Sequence, residues 1–154
     1  HRVDRRQRQM CIRDRGFGAV GLIGNWLGGL WVDRKPLATT ALFSMLLAAG
    51  MTATVLLAQM QAALAIALCV WGIANTALYP ICQIRVMKSA PHAQALAGTI
   101  NVSAANGGVA MGAALGGASI PWWGIESVGL VGAAVALASA VAAVVIGVWA
   151  HKRQ

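Results

Sequence analysis

The chain has 154 residues, of which 58% are hydrophobic and only 10% charged, a balance that excludes a water-soluble domain. Its formal net charge of +8 does not point to nucleic acid, because six of the twelve Lys and Arg residues fall within residues 1–15 and the rest form short clusters between apolar runs or at the end. The apolar runs are unbroken, without the alternation of barrel strands, so the fold class expected is all-α and integral to the membrane, with the lipid bilayer as a partner.

Five spans are predicted in chain order. Segment 16–32 is about 26 Å of helix, marginal for a hydrocarbon core of about 30 Å. Segments 37–57, 62–84, 95–119 and 127–150 are each long enough to cross. No Asp, Glu, Lys or Arg lies between Pro36 and Ile84, and none lies inside the last two segments. Charge is confined to the connections: Asp33, Arg34 and Lys35 after the first segment, Arg85, Lys88 and His92 after the third, Glu126 alone after the fourth, and His151, Lys152 and Arg153 at the end. Cations therefore mark every second connection, which the positive-inside rule assigns to the cytoplasm together with the C-terminus. The link around Met60 and the link holding Trp122, Trp123 and Glu126 then face outward, with the tryptophans as interfacial anchors. Pro36 and Pro91 suit the first turn of a following helix, where a missing N–H costs little.

Residues 1–15, HRVDRRQRQMCIRDR, break this pattern, because their six arginines would fall on the outer face. The stretch 1–15 is read as non-native or disordered, resembling translated linker sequence, and 16–154 as the transmembrane part. The other reading is a genuine basic arm with the first segment not spanning. Cys69 and Cys82 share the third segment roughly 20 Å apart, too far for a disulfide, and Cys11 leaves the count odd. No metal-ligand spacing, phosphate loop, paired carboxylates or nucleophile elbow occurs, so neither a cofactor nor enzyme chemistry is expected. His92 and His151 read as solvated groups.

Three constellations stand out. In the first, Gly24 and Gly28 lie one turn apart on one helix face, where glycine lets another helix approach, and Asp33 and Arg34 follow in the loop before the next helix. The Asp33 carboxylate is favourable beside that helix N-terminus. In the second, Gly108, Gly112 and Gly116 form a ridge shared with Asn101 and Ala105, while Thr99, Ser103 and Asn106 cluster on the opposite face at about 100° per residue. In the third, Asn75, Tyr79 and Gln83 recur every four residues on a segment that Pro80 should bend, freeing the carbonyl of Thr76. Such a stripe either lines a substrate path or supplies interhelical hydrogen bonds. Both readings stay open.

The stretch Gly24, Gly28, Asp33, Arg34 resembles the signature loop of the major facilitator superfamily, in its weaker copy between the eighth and ninth helices. Pro36 and Leu37 depart from that pattern. The run from Asn101 to Gly117 resembles the eleventh helix of drug and sugar efflux members of the superfamily. The resemblance extends from residue 16 to about residue 150 and implies helices eight to twelve of a twelve-helix secondary transporter. It further implies efflux of a small solute, sugar or drug-like, by proton antiport, in the inner membrane of a bacterium. Asn75, Tyr79, Ser103 and Asn106 are then candidates for the substrate cavity. Gly108, Gly112 and Gly116 are candidates for helix packing, and Asp33 for holding one state through a helix dipole on the partner half. The partners implied are the missing N-terminal half of the same transporter and a small-molecule substrate. A non-transporting membrane scaffold using the glycine ridge is the rival reading. A small four-helix exporter is disfavoured, because no carboxylate lies inside a span.

Overall fold

The computed structural model describes residues 21–33 and 35–152. The segment 1–15, residues 16–20 of the first expected span and Arg34 of the loop motif lie outside the described residues. The described chain is helical with short links: α1 (21–32), α2 (Pro36–Leu56), α3 (Gln61–Ser89), α4 (Gln94–Trp123) and α5 (Ser127–Lys152). It is an all-α membrane protein, and α2, α3 and the Ser127–Trp149 part of α5 are long and apolar enough to cross a bilayer. The 30-residue α4 has the length, but its glycines, asparagines and hydroxyls dilute its hydropathy.

Helix ends follow local chemistry and move three expected boundaries. Proline stands at the start of α2, where its absent N–H costs nothing. The third helix runs on to Ser89, beyond the expected end at 84, and so carries Arg85 and Lys88 on its last turns. Nothing in residues 85–89 breaks a helix, and the restriction that Pro91 places on Ala90 stops it there. Pro91 itself lies in the turn after α3, outside the first turn of α4, whose cap is Ala93. The fourth helix passes its expected end at 119 and includes Pro121, Trp122 and Trp123. It stops at Gly124, whose φ of 76° is readily open only to glycine.

The bundle is small-residue inside and large-residue outside. Lipid tails are as apolar as leucine, so burial of large side chains gains little, and close van der Waals contact drives association. On α5 the buried positions Ala133, Ala136, Ala140 and Ala143 recur at helical spacing, while Val135, Leu137, Val141 and Val144 are exposed. The central helix is α2, which packs extensively against both α5 and α3, whereas α4 meets α3 and α5 less fully. A cluster of Val32, Phe43, Ala74, Ala77 and Ile81 joins α1, α2 and α3.

The closest approaches occur at glycines. A Cβ placed on Gly24 would fall 2.6 Å from the carbonyl oxygen of Ile73, and one on Gly50 would fall 2.9 Å from the backbone nitrogen of Trp71. Both neighbours are α3 backbone and cannot swing aside. A Cβ on Gly112 would meet nothing within 4 Å among the described residues. Gly24→Ala and Gly50→Ala should therefore each destabilise the bundle by about 1–3 kcal/mol. Gly112→Ala should be neutral or stabilising, because alanine favours the helix. Unfolding of each variant in mixed dodecyl sulfate micelles measures the difference, and equal effects at all three sites would refute this packing.

Candidate functional site

The loop after α1 comes first. Gly24 and Gly28 face α3: beyond the Ile73 contact, a Cβ on Gly28 would lie 3.2 Å from the Ile81 side chain and 3.3 Å from Ala77 Cβ. Val32, one turn on, is fully buried in the shared core. Asp33 emerges at the end of α1 and receives Lys88 Nζ at 2.7 Å from the last turn of α3. The two side chains are 69% and 50% exposed, so the pair is worth at most about 1 kcal/mol and chiefly orients the two helix ends. Lys88 also complements the negative end of the α3 dipole.

Arg85 is half-buried one turn earlier. Its Nη1 donates to Thr40 Oγ1 at 3.1 Å, and that hydroxyl donates to the Pro36 carbonyl at 2.8 Å. Charge placement from the sequence put Arg85 in a loop. Its reach to α2 depends on α3 continuing past residue 84, and the lack of any breaker before Pro91 was the available signal. Every described Lys and Arg, namely Lys35, Arg85, Lys88 and Lys152, thus sits at one end of the bundle, with Glu126 at the other.

The α3–α4 contact holds the second group. Gln83 Oε1 accepts a hydrogen bond from Asn101 Nδ2 at 2.6 Å, and Gln83 Nε2 has only the thioether of Met87 at 3.8 Å. Asn75, Tyr79, Ser103 and Asn106 are all exposed and make no side-chain hydrogen bond among the described residues. Ser103 lines a groove with Gln83, and Asn75, Tyr79 and Asn106 do not. The stripe on α3 therefore divides: its last member ties α3 to α4, and the other two point elsewhere. Pro80 is inside α3, and the Thr76 hydroxyl turns back to the Gly72 carbonyl near the gap it leaves.

Of the ridge on α4, only Gly116 meets another helix among the described residues, with Val128 Cγ1 3.3 Å from its would-be Cβ, while nothing described lies within 4 Å of a Cβ on Gly108 or Gly112. Beside Gly116, Ser127 Oγ lies 2.8 Å from Ser119 Oγ, and Ser119 donates to the Gly116 carbonyl at 2.8 Å. One face of α4 thus meets α3 through Asn101 at one end and α5 through Gly116 and Ser119 at the other.

Over 98 residues, 64% of its length, this chain is 44% identical to the inner membrane transport protein YdhP of Escherichia coli strain K12. Over 121 residues, 79% of this chain, it is 28% identical to a protein named "Probable sugar efflux transporter" in Helicobacter acinonychis strain Sheeba. The chain spans 25% and 31% of the length of these relatives. No family model matches the sequence, and no solved structure matches it.

A double-mutant cycle with Gln83→Leu and Asn101→Leu should show a favourable coupling of about 0.6 kcal/mol, with a ceiling near 1.7 kcal/mol. Unfolding in mixed micelles reads it, and strict additivity would mean the two amides do not meet in the folded bundle.

Proposed function

We propose that this chain is the C-terminal part of a secondary transporter of the major facilitator superfamily that exports a small solute, sugar or drug-like, by proton antiport. The observation that carries this reading is the 44% identity, over 98 residues, to an inner membrane transport protein. The 28% identity to a protein named for sugar efflux agrees with it, as does the resemblance of the Gly24–Asp33 loop and the α4 glycine run to that superfamily. The location is the bacterial inner membrane, in a multi-pass arrangement.

In this reading five helices cross the bilayer. The long but less apolar α4 crosses because its amides and glycines face protein or a wet cavity rather than lipid. The end holding Lys35, Arg85, Lys88 and Lys152 is cytoplasmic, and so is the C-terminus. Two halves of the carrier rock about a central site, and the helices of this chain form part of the wall of one half. Asn75, Tyr79, Ser103 and Asn106 face that site. The open ridge at Gly108 and Gly112 receives a helix of the rest of the carrier, which precedes these residues on the same polypeptide. Asp33 with Arg34 steadies one of the two states, and the Asp33–Lys88 pair ties that loop to α3.

One observation favours the rival reading of a non-transporting scaffold, namely that Gly108 and Gly112 meet nothing among the described residues. Genomic sequence upstream of the Gly16 codon separates the two. A carrier requires an open reading frame that runs in from upstream and encodes about seven further apolar spans, with ionisable residues among them. A start codon immediately before His1, preceded by an in-frame stop, would exclude the carrier and leave the scaffold.

A further inference from the structure

The C-terminal end of α3 and the N-terminal end of α4 enclose an open groove of about 500 Å³, within the range of small-molecule sites. Its polar walls are Gln83, Gln94, Thr99 and Ser103, with Met87 and Gly98 between them. All four polar side chains are uncharged. The cations of this part of α3 are held on other surfaces: Lys88 goes to Asp33 after α1, and Arg85 goes to Thr40 on α2. At about 100° per residue, both project some 140–160° around the helix from Gln83. His92, in the connecting turn, is exposed and does not line the groove.

The hydrogen-bonding capacity left in the groove is specific. The Gln83 oxygen is engaged by Asn101, but its amide N–H groups have only the Met87 sulfur at 3.8 Å, a weak acceptor. Gly98 leaves that amide room, since a Cβ there would sit 3.0 Å from Nε2. The Thr99 hydroxyl donates its proton to the Leu96 carbonyl at 2.8 Å, so toward a ligand it is an acceptor. Ser103 and Gln94 make no side-chain hydrogen bond among the described residues and can both donate and accept. A ligand suited to neighbouring donors and acceptors without a counter-charge carries hydroxyls, each of which does both. A charged solute would lose water here and gain no partner.

We propose that this groove binds an uncharged, hydroxyl-bearing solute, with Gln83 donating and Thr99 and Ser103 accepting. Its purpose, as the point where solute enters from the cation-bearing face, rests on the transport reading. The binding itself does not.

The test uses the 154-residue chain in lipid nanodiscs, with Cys11→Ser, Cys69→Ala and Cys82→Ala, and with Ala95→Cys, which lines the groove but is outside the proposed hydrogen-bonding set, as the only thiol. Methyl glucoside at twice its dissociation constant should slow alkylation by N-ethylmaleimide about threefold, by mass action. Glucose 6-phosphate and tetramethylammonium should not slow it. Adding Gln83→Leu should abolish the protection, and a thiol at Ala118→Cys, at the far end of α4, should be indifferent to all three solutes. Saturation-transfer NMR of methyl glucoside with the unsubstituted chain gives an independent reading that a misfolded variant cannot confuse. No transfer and no protection by the glucoside, or equal protection by the charged solutes, would overturn the proposal. The transport reading would be untouched by either result, since it depends on the upstream reading frame.

Discussion

The backbone of α3 at residues 71–73 is held between two glycines, Gly24 of α1 and Gly50 of α2, and the positions of the other functional groups follow from that contact. A side chain at either glycine would strike main chain rather than a movable group. With both absent, the three helices close far enough for Val32, Phe43, Ala74, Ala77 and Ile81 to form one core. That core fixes the rotation of α3. Once Ala74, Ala77 and Ile81 face inward, Arg85 and Lys88 are carried to the α1 and α2 side, and Gln83 is carried toward α4.

The same rotation separates two chemistries along one helix end. The α1 and α2 side of α3 holds an ion pair and an arginine bonded to a threonine hydroxyl, which tie α3 to the end of α1 and to α2. The α4 side holds neutral amides and hydroxyls around a groove. By contrast, α4 is fastened at its two ends, and Gly108 and Gly112 between them meet no neighbour among the described residues.

The membrane class was legible because charge is absent from such long stretches, and the helix order was legible because each charged link interrupts an apolar run. Boundaries moved where the end of hydrophobicity was taken for the end of the helix. Arg85 and Lys88 are polar and still helical, and Pro121 sits inside the last turns of α4 with the loss of one hydrogen bond. Gly24 and Gly28 were readable as a packing face, but their partner was not, since the choice of α3 depends on how helices cross. The Gln83–Asn101 bond was hidden for the same reason: each residue was visibly polar on its own helix, and only the register of α3 against α4 brings them to 2.6 Å. The ridge at Gly108 and Gly112 reads clearly along the chain and meets no counterpart among the described residues.

The placement of α1 against α3 is the claim on which this account rests, and oxidative crosslinking in native membranes tests it directly. A Cβ on Gly28 falls 3.3 Å from Ala77 Cβ, near the ~3.8 Å typical of disulfides. In a chain freed of Cys11, Cys69 and Cys82, with a protease site inserted between Leu57 and Met60, the Gly28→Cys and Ala77→Cys pair should form a bond on mild oxidation. The two pieces should then stay joined on a non-reducing gel after cleavage, whereas Gly28→Cys with Gly112→Cys, which also straddles the cleavage site, should separate. Separation of the Gly28→Cys and Ala77→Cys pair under the same conditions would contradict the α1–α3 contact and the arrangement built upon it.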